Sequence, residues 1–230
     1  MDNIAIIPAR GGSKRIPHKN SKEFYGKPII LYAIETIKKS NLFKKIVVSS
    51  DDEKIRELVE NDASVDFIKR SPHLSCDITP TSKVIRHVLD NQVRDSARLY
   101  NFCCCVYPCT PLLKAGHLKD AFKKINIGSF NYVYPILEYS YPIQRALKRD
   151  TQGVMSFVDK CVEKKTTQSF ERRYHDAGQF YFGKVTSWLN EESIYSGYGM
   201  RYSKNDFVDI DNIDDWRLAE KLFILECGQQ

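Results

Sequence analysis

The stretch "IIPARGGSKRIPHKN", Ile6–Asn20, decides the fold. It opens as a buried strand and turns abruptly into a loop. That loop carries a glycine pair, Gly11 and Gly12, and the basic side chains Arg10, Lys14, Arg15 and Lys19. Outward from it, the apolar pattern alternates between two periods. Asn3–Pro8 reads as a short strand, and Pro28–Lys39 places Ile30, Ala33, Ile34 and Ile37 at helical spacing. Lys45–Ser50 is a second strand, followed by a helix over Asp52–Asn61 whose acidic start suits the helix dipole. Val65–Ile68 (strand), Thr81–Val93 (helix), Tyr100–Tyr107 (strand) and Ala115–Ile125 (helix) continue the rhythm. Strands alternating with helices predict an α/β fold, with a mostly parallel central sheet and helices on both faces.

After Asn131 the rhythm changes. Tyr132–Glu138 and Ile143–Leu147 read as strands with no helix between them, and Asp159–Arg173 as a polar loop or extension. Gly178–Phe182 and Phe207–Ile210 read as further strands. Asn212 caps a last helix carrying Trp216, Leu218, Ala219, Leu222 and Phe223. The expectation is a single domain over residues 1–230, with an insertion at about 135–174 projecting from the sheet.

Composition narrows the function. The chain has 230 residues, 42% hydrophobic and 12% aromatic, which suits a folded core rather than a disordered segment. Its net charge of +6 comes from 35 basic and 29 acidic residues, a balance that fits a small anionic substrate at least as well as nucleic acid. No apolar run reaches the ~20 residues of a membrane span, and the N-terminus lacks a signal-peptide pattern. Seven cysteines occur without a C-x-x-C pair, and Cys103–Cys105 are consecutive in an apolar segment. Neighbours on a strand face opposite ways, so buried free thiols in a reducing cytoplasm are expected.

In open α/β sheets, ligands bind beyond the carboxyl ends of the strands, where the first loop lies. Gly11 and Gly12 let the backbone come close to a ligand and present N–H groups to anionic oxygens. Arg10, Lys14 and Lys19 surround a polyphosphate with positive charge. The order of residues matches neither a P-loop nor the G-x-G-x-x-G dinucleotide fingerprint. Polyphosphate chemistry calls for a divalent ion. In "VDIDN", Val208–Asn212, a strand would place Asp209 and Asp211 on one face, where two carboxylates repel unless a cation lies between them. Mg²⁺ suits such a pair completed by phosphate oxygens.

These segments, with "SSDDEKI", "YPCTPLL", "YHDAGQFYFG" and "DIDNIDDW" in the same order, resemble the nonulosonic acid cytidylyltransferases, the CMP-acylneuraminate synthetase group. Within that family, Arg15, "PIQRAL" and "YHDAGQFY" are most similar to the pseudaminic acid branch. The resemblance implies a Rossmann-like nucleotidyltransferase fold with a small dimerisation extension, and hence a homodimer. It implies transfer of CMP from CTP to a nonulosonic acid, with Mg²⁺ and release of pyrophosphate. The sugar would be pseudaminic acid, with sialic and legionaminic acids as alternatives. By position, Arg10, Lys14 and Lys19 meet the triphosphate, with Ala9 and Gly11 beside them. Asn20, Arg70, Thr79 and Thr81 surround the cytidine. Asp209 and Asp211 hold the metal, and Tyr107, Gln144, Arg145, Gln179 and Tyr181 surround the sugar.

The chemistry this implies is attack of the sugar's anomeric hydroxyl on the α-phosphorus, driven by alignment and charge neutralisation. Arg10 and Lys19 are the expected catalytic cations, and Asp211 with its Mg²⁺ the expected activator of the hydroxyl. Cys109 reads as a small residue beneath a substrate loop rather than a nucleophile. His175 and Asp176 either contact the sugar or shape their loop. Three rivals stand against this reading: a sugar-1-phosphate nucleotidyltransferase, a non-catalytic nucleotide-binding protein that would have lost the aspartate pair, and a nucleic-acid binder. The last lacks a basic stripe and a known motif.

Overall fold

The computed structural model describes residues 2–93 and 100–228. Strand β1 (Asn3–Pro8) lies centrally between β4 (Lys45–Ser50) and β6 (Phe102–Val106), parallel to both. β5 (Val65–Lys69) pairs parallel with β4. On the other side, β11 (Phe180–Lys184) pairs antiparallel with β6 and with β7 (Tyr132–Glu138). β7 also takes β10 (Tyr174–Asp176) antiparallel and β12 (Tyr198–Tyr202) parallel. The main sheet thus runs β5-β4-β1-β6-β11-β7, mostly parallel, as the alternation predicted.

Strict alternation of side chains sorts the core into two layers. Ala5, Ile7, Val48 and Cys104 face helices α1 (Ile29–Ser40), α2 (Glu53–Val59) and α4 (Ala115–Ile127). Ile4, Ile6, Val47, Cys103 and Cys105 face α3 (Thr81–Val93) and α5 (Val185–Leu189). A strand buried on both faces reads as an unbroken apolar run, which is why "IAII" and "CCCV" signal the centre of the sheet. The three consecutive cysteines are all buried thiols, and burial raises the pKa of each.

A third apolar cluster fastens the loop after β1. Ile16, Phe24, Cys109, Ile210 and Trp216 pack together, the last from α6 (Ile213–Cys227). A two-residue hairpin, β2 (Glu23–Phe24) with β3 (Lys27–Pro28), closes that loop. Tyr25 and Gly26 both have positive φ at its turn, the backbone that two-residue hairpin loops demand. Helix α6 starts with a capping box. The Asn212 side chain accepts from the N–H groups of Asp214 and Asp215, and Asp215 accepts from those of Asp211 and Asn212.

Two expected strands do not form. Ile143–Leu147 is a turn of 3₁₀ helix over Ile143–Arg145 that runs into β8 (Leu147–Arg149), which among the described residues pairs only with β9 (Met155–Phe157). The chain from Tyr139 to Arg173 therefore leaves the main sheet, whereas the expected insertion boundary at Pro135 falls inside β7. Phe207–Ile210 is extended but joins no ladder. Its carbonyls at Val208 and Ile210 accept from the side chains of Gln179 and Lys19 instead of from a neighbouring strand.

Candidate active site

The carboxyl ends of β1, β5 and β6 open onto a cleft of about 580 Å³. The switch in strand order on either side of β1 places it there.

Five cations reach this cleft. Arg10, Lys14, Arg15 and Lys19 come from the loop after β1, and Arg70 follows the end of β5. Arg70 is only 5% exposed. Its guanidinium donates to the carbonyl of Ser49 at 2.7 Å and to the Ser49 hydroxyl at 3.3 Å. Burial lowers its pKa; the nearby Asp51 charge opposes the shift and Arg10 adds to it, and no carboxylate forms a salt bridge with it among the described residues. A buried cation in that state is a strong site for a polar or anionic ligand. Lys19 is fixed by donating to the Ile210 carbonyl at 2.5 Å, with Asp211 Oδ1 4.0 Å away. Asn20, 6% exposed, ties the loop together: its amide donates to the Arg10 carbonyl, and its Oδ1 accepts from the Cys109 thiol at 3.1 Å. Burial pushes that thiol up to about 12, so it stays protonated and is a poor nucleophile.

Asp209 and Asp211 line the same cleft beside these cations. Although the strand ladder is absent, the period of two survives. Val208 and Ile210 are buried in the third cluster while Asp209 and Asp211 turn to the cleft. Asp209 opens onto solvent, yet the protein packed around it and the charge of Asp211 raise its carboxyl to about 6. Both cationic contacts of Asp211, Arg15 at 2.8 Å and Lys19 at 4.0 Å, use Oδ1. No group of three or more His, Cys, Asp or Glu side chains converges among the described residues, so a complete protein cage for a metal is not built. Two carboxylates beside an open, cation-lined cleft do fit Mg²⁺, which keeps most of its sites for water and phosphate.

Of the other expected contacts, Thr79, Thr81 and Tyr107 line the cleft, with the Thr81 and Tyr107 hydroxyls 3.2 Å apart. Ala9 is fully buried in the core. Gly11 donates its N–H to Asp51 Oδ1 at 2.9 Å, so that group is not the bare donor expected of it. A Cβ at Gly11 would come within 2.9 Å of Asp52, so close approach to a neighbouring loop explains this glycine. Asp52 caps α2, whereas Asp51 serves the loop. Gln179 is buried and donates to the carbonyls of Ala177 and Val208, bracing the segment that carries Asp209. Tyr181 is buried beneath Tyr107 and donates to Asp176. Gln144 and Arg145 stand on the segment outside the sheet. There they bond the carbonyls of Glu171, Val162 and Lys165, away from the cleft. His175 is exposed and packs on Tyr139. Among the cleft residues that sequence reasoning did not assign are Asp77, Gly178 and Arg15, the cation paired with Asp211. Asp77 sits in a polar turn with no periodic signal.

A mostly parallel sheet whose strand ends and first loop gather five cations beside an acid pair is the framework of a nucleotidyltransferase. Residues 4–208 match the model of the cytidylyltransferase family. The chain is 37% identical over 226 residues to the pseudaminic acid cytidylyltransferase of Campylobacter jejuni, covering 97% of each. It is 30% identical to the CMP-N,N'-diacetyllegionaminic acid synthase of Legionella pneumophila, covering 100% of this chain and 99% of that one. A solved structure of CMP:2-keto-3-deoxy-manno-octonic acid synthetase complexed with CTP superposes with a TM-score of 0.69 at 14% identity, over the whole of both chains, a likeness of fold alone. The chain belongs to the cytidylyltransferase family.

Proposed function

We propose that this chain transfers CMP from CTP to the anomeric hydroxyl of a nonulosonic acid, pseudaminic acid, and releases pyrophosphate. The observation that carries the reaction is the set of Arg10, Lys14, Lys19 and Arg70 around one cleft, beside Asp209 and Asp211. The sugar is argued from 37% identity, over nearly the full length of both chains, to a pseudaminic acid enzyme.

In this reading Arg70, Asn20, Thr79 and Thr81 receive the cytidine, while Arg10, Lys14 and Lys19 take the phosphates. The anomeric oxygen forms a bond to the α-phosphorus, and the bond from that phosphorus to the β-phosphate oxygen breaks. The proton of the hydroxyl passes to the acid pair, with Asp211 as the assigned acceptor. Arg10 and Lys14 neutralise the departing pyrophosphate, so the chain contributes mainly alignment and electrostatic stabilisation. Asp209 and Asp211 would hold Mg²⁺, which when bound supplies further positive charge to the phosphate oxygens. Tyr107 forms the wall next to the sugar. Gln144 and Arg145 reach a sugar only from a second copy of the chain, which fits a homodimer formed through the segment around 135–174. The chain is read as one domain acting in the cytoplasm, where its free thiols suit a reducing compartment. None of its helices is long and apolar enough to cross a membrane, among the described residues.

The test is pyrophosphate release with CTP and a panel of pseudaminic, legionaminic and sialic acids, run against other nucleotides and sugar phosphates. Turnover with pseudaminic acid and CTP alone is the expected result. Preference for another acid moves the substrate assignment, and turnover only with a sugar phosphate overturns the reaction.

A further inference from the structure

Arg10 and Lys14, two of the cations that face the cleft, are both engaged by one carboxylate. Asp77 Oδ1 accepts from Arg10 Nη1 at 2.5 Å, and Asp77 Oδ2 accepts from Lys14 Nζ at 2.6 Å. One anion thus spans two cations 67 and 63 residues away in sequence, in the manner of a bridging phosphate group. The two hydrogen bonds hold Asp77 ionised, its pKa lowered first by Lys14 and then by Arg10.

The segment that carries Asp77 is a short exposed turn held by local hydrogen bonds. It follows a 3₁₀ turn over Pro72–Leu74 and ends where α3 begins at Thr81. Short-range bonds close its start, from Leu74 to Ser71 and Ser75 to Pro72, and the bond from Thr79 to Cys76 closes the turn around Asp77. Next to Asp77, Ile78 is 89% exposed and buries little apolar surface. A tip with so few buried contacts opens at low cost. Arg10, Lys14, Asp77 and Thr79 share the lining of one cleft. A polyphosphate bound by Arg10 and Lys14 would therefore stand beside the Asp77 carboxylate, and like charges at that range repel.

We propose that Asp77 is a positioning residue for the nucleotide's phosphates. It holds Arg10 and Lys14 ready for the triphosphate, competes with phosphate for them, and so limits how tightly the pyrophosphate product is retained. This rests on the triphosphate reading of the cleft. Binding then exchanges two ion pairs to Asp77 for ion pairs to phosphate, and the reverse exchange accompanies release. Lys14 is 82% exposed, so its pair contributes little, and most of the competition lies at Arg10.

The experiment is calorimetric titration of inorganic pyrophosphate into the wild type, Asp77→Asn and Asp77→Glu, each with Mg²⁺ and in EDTA, with the CTP KM measured alongside. Asp77→Asn keeps the shape and removes the charge. It should bind pyrophosphate roughly three- to tenfold more tightly under both conditions, as expected for losing exposed competing pairs. Its CTP KM should fall in parallel while kcat does not rise. Asp77→Glu restores the charge and should lie within about twofold of the wild type. Wild-type binding with an unchanged or weaker Asp77→Asn overturns the proposal, and weakening confined to Mg²⁺ would make Asp77 a metal residue instead. If no protein binds pyrophosphate or CTP, the triphosphate reading falls and this proposal with it.

Discussion

Gly178 and Asp209 are in contact across the cleft floor: a Cβ on Gly178 would lie 2.7 Å from the Asp209 carboxyl carbon. Gly178 also has φ of +62°, and its N–H is held by Asp176 Oδ1 at 2.9 Å. The turn between β10 and β11 therefore sets where one member of the acid pair stands. Gly178→Ala should suffer twice. The left-handed backbone costs about 1–2 kcal/mol for an L side chain, and the new methyl displaces Asp209. The expected outcome is a lower melting temperature with a loss of turnover that larger amounts of CTP do not restore. Retained kcat would show that Asp209 does not need this position.

Arg10→Ala and Lys19→Ala each remove a charge-assisted contact worth about 1.5–3 kcal/mol. CTP use should weaken ten- to a hundredfold in each. The two variants differ in stability, because Lys19 also holds the Ile210 carbonyl whereas Arg10 is bound at the surface by Asp77. Lys19→Ala should melt lower, and Arg10→Ala should not. Steady-state kinetics with CTP check the first point and thermal unfolding the second. Near-normal CTP kinetics in both would reject the triphosphate role.

Cys109 should prove dispensable for chemistry. Its thiol is buried, protonated and bonded to Asn20 Oδ1. Cys109→Ala leaves that oxygen without its partner, which costs on the order of 1 kcal/mol of stability, with kcat essentially unchanged. Loss of kcat in a folded variant at unaltered CTP affinity would reinstate the thiol as a participant.

The parts of the fold that were legible in the chain are those buried on both sides or on one clean stripe. Ile4–Ile7 and Cys103–Val106 are continuous apolar runs because helices cover both faces of the sheet. The edge strand β12 escaped because "YGMRY" mixes an exposed Arg201 with Gly199, which is packed closely on Ile136. Phe207–Ile210 carried a true period of two, but its carbonyl partners are side chains from residues 179 and 19, which no local pattern reveals. Most of the basic side of the cleft was readable because Arg10, Lys14, Arg15 and Lys19 lie close together in sequence, whereas Arg70 comes from a distant strand end. Asp77 was not, since its meaning comes only from contacts more than sixty residues away.

A homodimer should appear in solution. The segment outside the main sheet exposes Tyr141, Leu147, Val154, Met155 and Val158, with only short strands beneath them. Exposed apolar side chains on a projection with so little core of its own motivate this prediction, since large exposed apolar patches mark interaction sites. Light scattering at micromolar concentration should return twice the chain mass of 26.6 kDa. Val158→Asp should shift the mass toward the monomer without unfolding the main sheet. A monomeric wild type would refute the dimer, and with it the route by which Gln144 and Arg145 reach a sugar.

The acid pair makes a prediction in which pH, metal and stability must agree. The Asp209 carboxyl stands at about 6 against an ordinary 3.8, raised first by burial and then by Asp211. A carboxyl raised in the folded state binds its proton more tightly there than in the unfolded chain. Without metal, stability should therefore fall as pH rises from about 4 to about 6 and level off above that. Mg²⁺ reverses the sign, because it binds the ionised pair; its stabilisation should be weak near pH 5 and full above about 7. Asp209→Asn should flatten the metal-free slope and raise the melting temperature slightly at neutral pH, since repulsion from Asp211 is gone. Asp209→Asn and Asp211→Asn should both lose turnover by orders of magnitude and need more Mg²⁺. If the pair served only to start α6, the pattern would be different: a lower melting temperature and an unaltered Mg²⁺ titration. Thermal unfolding across pH 4–8 with and without Mg²⁺, on the wild type and both variants, separates the two. An Mg²⁺ response identical in wild type and Asp211→Asn would sink the metal assignment.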